Sequence, residues 1–296
     1  MVPEHIERRF TTPDGRTLAV AEWGDPSGLG LFALHGTPGG RISCWEDPTI
    51  YARHGLRRFT LDRPGYGEST RQPGRSVADI VADITFIADT LGVSSFAVTG
   101  GSGGGPHALA CAALRPDRVL RCLASASMAP YGPDGIEGDA WFAGMTQGNV
   151  IEFRAAIAGE REMGLLVERL RATTLERLAA GRLDFEGDDY EMADADLAQT
   201  AKHYERIVDH VTDALAPGPE GWIDDMLAFV RPWGFDPRTV RVPVYLSYGR
   251  EDTLVPAAHG DWLAAAIPGA LAVVTDAGHL GEDESVETEL AWLAGR

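Results

Sequence analysis

Residues 95–114 hold a short apolar run, a knot of glycines around one serine, and an alanine-rich run, and few folds accommodate that junction. Ser95-Phe96-Ala97-Val98-Thr99 reads as a buried strand, and Pro106-His107-Ala108-Leu109-Ala110-Cys111-Ala112-Ala113-Leu114 reads as a helix. Between them, Gly100-Gly101-Ser102-Gly103-Gly104 sets Ser102 in G-x-S-x-G spacing. A serine on a sharp strand-to-helix turn is lifted clear of the sheet on strained backbone. Glycines at 100 and 104 then make steric sense, because a β-carbon at either place would crowd the turn. Ser102 would also stand at a helix N-terminus, where unpaired N–H groups can receive a developing oxyanion. The same spacing also suits a plain turn. The strand before it and the helix after it favour an exposed nucleophile.

Around this junction the chain alternates strand and helix. Residues 8–12 and 17–23 flank Pro13-Asp14-Gly15-Arg16 and predict a β-hairpin. Leu29-Gly30-Leu31-Phe32-Ala33-Leu34 is continuously apolar, as a strand covered on both faces must be. A strand at 58–62 follows. Residues 76–91 form the clearest helix, with Val77, Ile80, Val81, Ile84, Ile87 and Leu91 on one face, Ser76 and Asp79 at its start and Gly92 at its end. A strand at 119–124 comes next. Strand-like runs then cease between about 130 and 237, where helices are expected at 151–158, 163–180 and 193–215, interrupted by Pro217-Gly218-Pro219. Alternation resumes with strands at 242–248 and 270–275 and helices at 257–267 and 284–293.

This pattern predicts an α/β fold: a mostly parallel sheet with helices on both faces, an N-terminal hairpin and an inserted helical region. The core is expected at 1–129 and 238–296, and a helical cap at 130–237. Ligands of such sheets bind beyond the carboxyl ends of the strands, where His35, Asp62, Ser102, Asp252 and His279 all fall.

The formal charge of −18 argues against nucleic acid or anionic membrane as a partner, since both select for basic patches. Three cysteines (Cys44, Cys111, Cys122) make no C-x-x-C pair, which fits a reducing compartment. The N-terminus shows no apolar signal region, and no apolar run approaches the ~18 residues of a membrane span. A soluble, cytoplasmic protein acting on a small molecule is expected, without cofactor or metal; oligomeric state is not legible.

Ser102 needs a base to take its proton, and the base needs a partner to fix its tautomer. His279, in Asp276-Ala277-Gly278-His279-Leu280 after the last strand, is placed to reach back over Ser102. His35 reads as a loop organiser, and His107 lies one turn into the helix after Ser102. His203 and His210 read as a solvated helix face in preference to a metal pair. Asp252, in Gly249-Arg250-Glu251-Asp252, is the acid that gives the order nucleophile, acid, histidine. Asp62 is the rival carboxylate but precedes the serine, and reads as an anchor for the 63–69 loop.

Taken together, these motifs make the chain resemble the α/β-hydrolase fold superfamily, a serine hydrolase with a helical cap. His35-Gly36-Thr37-Pro38-Gly39 is similar to the family's H-G-x-P-G loop, and Asp62-Arg63-Pro64-Gly65-Tyr66-Gly67-Glu68-Ser69 to its D-x-x-G-x-G-x-S segment. Gly249 to Asp252 resembles the acid turn, and Gly278-His279 the histidine loop. The resemblance implies an oxyanion hole made by the N–H groups of Thr37 and Gly103. It also implies an acyl-enzyme mechanism through Ser102, His279 and Asp252, with a carboxylic ester as substrate. Aminopeptidase or carbon–carbon bond hydrolase chemistry would use the same triad, and a ligand receptor could keep the fold without activity. Many proline iminopeptidases of this fold carry tryptophan where this chain has Gly103, and D-Q-R-G where it has Asp62-Arg63-Pro64-Gly65. A serine nucleophile argues against epoxide hydrolase and haloalkane dehalogenase chemistry. Small Gly103 is expected to leave open space beside the oxyanion hole. Trp222, Phe229, Trp233 and Phe235 either line a substrate pocket or pack the cap onto the core. The acidic run from Asp184 to Glu191 lacks calcium-loop spacing and reads as a solvated loop.

Overall fold

The computed structural model describes residues 5–43, 47–182 and 190–296. Strands β1 (Ile6–Thr11), β2 (Thr17–Gly24) and β3 (Leu29–Leu34) lead to a short helix α1 (Thr49–Arg53) and β4 (Leu56–Leu61). Then come α2 (Ile80–Thr90), β5 (Phe96–Gly101), α3 (Gly104–Leu114) and β6 (Val119–Ser125). Among the described residues, five α-helices follow before the next strand: α4 (Gln147–Ala158), α5 (Glu160–Ala179), α6 (Asp194–Lys202), α7 (Tyr204–Leu215) and α8 (Glu220–Phe229). Last are β7 (Val244–Gly249), α9 (Ala257–Ala266), β8 (Leu271–Thr275) and α10 (Asp283–Leu293).

The eight strands form one sheet in the order β1-β2-β4-β3-β5-β6-β7-β8. The hairpin strand β2 runs antiparallel to β4, and from β4 onward every neighbouring pair is parallel. This is the α/β architecture the alternation predicts. The parallel strands therefore end on one edge, and their carboxyl ends deliver Asp62, His35, Ser102 and the turns that hold Asp252 and His279.

Composition explains how closely the layers approach. Every residue of α3 from Gly104 to Ala112 is buried, and most are glycine or alanine, so the helix lies against the sheet with little side-chain depth between them. Before α2, the Asp79 carboxylate accepts the Ser76 N–H at 2.6 Å, and Val77, Ile80, Val81, Ile84 and Ile87 enter the core. That core is continuous from Leu18, Phe32 and Phe59 to Trp141, Phe153, Met163, Val167, Trp222 and Phe229 in the inserted segment. A second cluster, including Trp23, Leu31, Tyr51, Leu123, Leu290 and Leu293, covers the other face of the sheet.

Two expectations for the insertion change. The single helix expected at 193–215 is broken at His203, which ends α6 and precedes α7. His210 does not face solvent: it is 5% exposed, and burial pushes its pKa down to about 4. Cys111 and Cys122 are buried free thiols, whereas Cys44 and the acidic run up to Asp189 lie outside the described residues. Among the described residues no helix is long and apolar enough to cross a membrane.

Candidate active site

Ser102 has φ +53°, a left-handed conformation that costs an L-residue roughly 1–3 kcal/mol and persists only when its surroundings enforce it. Here the Ser102 N–H donates to the Ser125 carbonyl and the Gly105 N–H to the Ser102 carbonyl, each at 2.9 Å. The flanking glycines are required by contact. A β-carbon on Gly100 would sit 2.2 Å from the Gly104 carbonyl oxygen, and one on Gly104 would sit 2.0 Å from that of Leu34. The serine itself stays partly exposed, at the floor of a cavity.

His279 lies in the turn after β8, and its Nδ1 is 2.8 Å from Asp252 Oδ2. The other Asp252 oxygen accepts the N–H groups of Leu254 and Val255, both at 2.8 Å, so the carboxylate is held in one orientation. A carboxylate at Nδ1 keeps the proton on that nitrogen and leaves the Nε2 lone pair for proton transfer. Burial alone would lower the His279 pKa, but the charge and hydrogen bond of Asp252, with the charge of Asp196, outweigh it and raise the value above the ordinary one. Neighbouring Glu251 is exposed. His279 and Ser102 line the same cavity.

The loop at 35–38 is fixed from below. His35 Nε2 accepts the Arg63 N–H at 3.1 Å while Nδ1 donates to the Gly36 carbonyl at 2.7 Å, so the ring is neutral and structural. Arg63 is wholly buried, and its guanidinium donates to the carbonyls of His35 and Gly36 and to Thr37 Oγ1. Its countercharge is Asp225 on α8, also wholly buried. Asp225 further accepts from Thr37 Oγ1 (2.6 Å) and the Tyr66 hydroxyl (3.1 Å), and pairs with Arg75 (2.7 Å). Burial would raise the Asp225 pKa, but the two guanidinium charges hold it well below the usual carboxylate range. Among the described residues, no backbone carbonyl takes the N–H of Thr37 or of Gly103.

Gly103 does not open the space expected of it. A β-carbon there would lie 2.3 Å from Thr37 Oγ1 and 3.1 Å from the Phe229 ring edge, so those two side chains already occupy the volume. Asp62 anchors its loop: its carboxylate accepts the N–H groups of Arg41 (2.6 Å) and Glu68 (2.9 Å) and pairs with the Arg41 guanidinium.

The cavity over Ser102 measures about 590 Å³, in the range of small-molecule sites. Its walls combine Met128, Phe153 and Leu170 with Trp222, Met226 and Phe229. Trp233 is not among them. Its indole N–H donates to the Phe229 carbonyl at 3.1 Å, its ring packs on Phe235, and its carbonyl accepts the Ala78 N–H. It joins the end of α8 to the segment before α2, which corrects the expectation that Trp233 lines the substrate pocket in favour of the packing alternative. Glu152 on α4 does line the cavity. Its carboxyl accepts from the Tyr190 hydroxyl and, at 3.0 Å, from the Trp222 indole, and burial raises its pKa to about 7.

The alpha/beta hydrolase fold family model matches residues 31–285. The chain belongs to that family. Among curated relatives, this hydrolase-fold chain is 32% identical over 118 residues to the uncharacterized hydrolase YcgS of Bacillus subtilis, a match covering 38% of this chain and 40% of the relative. It is 36% identical over 107 residues to a proline iminopeptidase of Xanthomonas citri, covering 34% and 33%. The matched stretches thus span about a third to two fifths of the length of these relatives. Among solved structures, the enol-lactonase of Burkholderia xenovorans superposes with a TM-score of 0.67 at 17% identity, covering 97% of each chain.

Four residues of this hydrolase-fold chain are not singled out by its sequence: Arg63, Asp225, Glu152 and Asp196. Asp225 and Glu152 carried a signal, being acids set among large apolar residues (Trp222-Ile223-Asp224-Asp225-Met226 and Ile151-Glu152-Phe153). Asp196 carried none, since Asp194-Ala195-Asp196 reads as an ordinary acidic first turn.

Proposed function

We propose that this hydrolase-fold chain cleaves carboxylic esters of small molecules by acyl transfer through Ser102. The observation that carries the reading is Ser102, held at positive φ on the floor of the cavity that His279 also lines, with His279 Nδ1 tied to Asp252. Ser102 Oγ attacks the ester carbonyl as His279 Nε2 takes its proton. The N–H groups of Thr37 and Gly103 receive the oxyanion. Collapse breaks the bond to the alkoxy oxygen, which leaves as alcohol with the proton from His279. Water then attacks the acyl-enzyme as His279 takes its proton, and the second collapse breaks the bond between the acyl carbon and Ser102 Oγ, to which His279 returns the proton as the carboxylic acid departs. Apolar walls from Trp222 and Phe229 suit an uncharged acyl or alcohol group.

A second reading, an aminopeptidase, is favoured by Glu152, a buried acid on the cavity wall able to face a substrate amine. A panel of p-nitrophenyl esters of graded acyl length, assayed beside aminoacyl p-nitroanilides, decides between them. Ester turnover with covalent fluorophosphonate labelling at Ser102 is expected, and loss of both in Ser102→Ala, because a triad nucleophile is worth about 10⁶ in turnover. Turnover of the anilides alone replaces the esterase with the peptidase. Undiminished ester turnover in Ser102→Ala overturns the mechanism, and no turnover or labelling at all leaves a binding protein on a hydrolase fold.

A further inference from the structure

The His279 loop is gripped from outside the sheet. Asp196, in the first turn of α6, is 1% exposed, and its two carboxylate oxygens accept two consecutive backbone N–H groups: His279 at 2.8 Å and Leu280 at 2.7 Å. The residue before the histidine is shaped to this contact. A β-carbon on Gly278 would lie 2.3 Å from Asp196 Oδ2 and 2.5 Å from its Cγ. Asp252 holds the imidazole from one side while Asp196 holds the backbone that carries it.

We propose that Asp196 is a positioning residue for the proposed base, through which the inserted helices set the reach of His279 toward Ser102. The inference rests on His279 being the base. Two charge-assisted bonds to successive N–H groups fix both the position and the tilt of a turn, where one would leave it free to pivot. A turn without them is free to pivot, and a misplacement of about 1 Å costs up to about 100-fold in rate. The carboxylate also acts by its charge. Asp252 from the turn after β7 and Asp196 from α6 are the acids that raise the His279 pKa. Elsewhere on the cavity wall stand Glu282 and Glu289 on the α10 side, Glu152 on α4 and His210 on α7, with the cations Arg58, Arg177 and Arg182.

The test uses the full chain and the p-nitrophenyl ester turned over fastest. Asp196→Asn is expected to lower kcat about 10- to 100-fold with KM changed far less. The ascending limb of its kcat/KM profile is expected to move to lower pH, because an acid that holds the imidazolium has lost its charge. Since burial raises the Glu152 pKa to about 7, the shift is measured again in a Glu152→Gln background, where it is expected to persist. Gly278→Ala is the second variant: it keeps the carboxylate but pushes it off the loop, and a comparable fall in kcat is expected. It carries the test alone if Asp196→Asn does not fold. Wild-type kcat and an unmoved limb in Asp196→Asn, or wild-type kcat in Gly278→Ala, overturn the proposal. Because Ser102→Ala is run alongside, an inactive Ser102→Ala with fully active Asp196→Asn and Gly278→Ala removes only this inference. An active Ser102→Ala removes the reading beneath it.

Discussion

Adjacent acids in one turn have separate fates here. Asp252 is buried, with one oxygen on His279 and the other on two backbone N–H groups, while Glu251 is exposed. In Asp252→Asn, the amide can still accept the N–H groups of Leu254 and Val255, so the turn is kept. What is lost is the charge opposite the imidazolium and the preference for the Nδ1–H tautomer, and in a measured triad that loss is about 10⁴-fold in turnover. Glu251→Gln is an exposed change, expected to stay within about 0.5 kcal/mol of wild-type stability and to keep its activity. Ester assays on both variants, after circular dichroism confirms folding, check the pair. A crippled Glu251→Gln or an active Asp252→Asn would transfer the orienting role to another acid.

Among the elements, α8 does most to tie the insertion to the loop under the proposed oxyanion site. Its Asp225 is the countercharge for two buried guanidiniums, Arg63 and Arg75. Removing one partner of a buried ion pair leaves the other charge uncompensated, and Asp225→Asn is expected to cost about 3–5 kcal/mol of stability, read from the denaturant midpoint. This helix was invisible to periodicity. Residues 221–229 are all buried, so no polar face alternates with an apolar one, and the signal that exposed α2 is missing. For a related reason the sequence predicts one helix where α6 and α7 stand: α6 buries Asp196 and Thr200 and no large apolar side chain, so nothing marks the break at His203. By contrast, β3 lies where its unbroken apolar run puts it, and the loops that carry the candidate residues Ser102, Asp252 and His279 were legible because they hold glycines at fixed offsets. The acids that brace these loops were not. An acid is buried only when paired, and Asp225 meets Arg63 across 162 residues, Asp196 meets His279 across 83. Local sequence says nothing about a partner so distant.

For the whole molecule, burial of so many ionisable groups makes stability depend on pH, and competing signs decide how. His35, His107, His210 and His259 are buried and held below the ordinary imidazole value, chiefly by desolvation: His107 down to about 3, His210 and His259 to about 4, His35 well below. A depressed group lends stability above its unfolded pKa of ~6.5 and loses it as pH falls. Glu152 and Asp62 act oppositely. Burial raises them to about 7 and about 6, so they take up protons in the folded state first and favour it as pH falls. Asp83 and Asp213, also raised by burial, pull the same way. Between pH 6 and 5, four histidines against chiefly two carboxyls leave the unfolded chain binding about two more protons. At about 1.4 kcal/mol per proton per pH unit, stability is expected to fall by about 3 kcal/mol over that unit. Against a total stability of roughly 5–15 kcal/mol, acid unfolding is expected near pH 4–5, with the decline already under way at pH 6. Glu152→Gln separates the two contributions. Without an acid that resists ionisation, it is expected to be up to about 3 kcal/mol more stable than wild type at pH 8, following from 4.5 to about 7 for this carboxyl, and equal to it near pH 4. Its decline on acidification is therefore steeper. Guanidinium unfolding of both proteins at pH 8, 7, 6 and 5 gives the slopes. A wild-type stability flat from pH 8 to 5, or parallel slopes for the two proteins, would show that these side chains do not keep their buried protonation states in the folded chain.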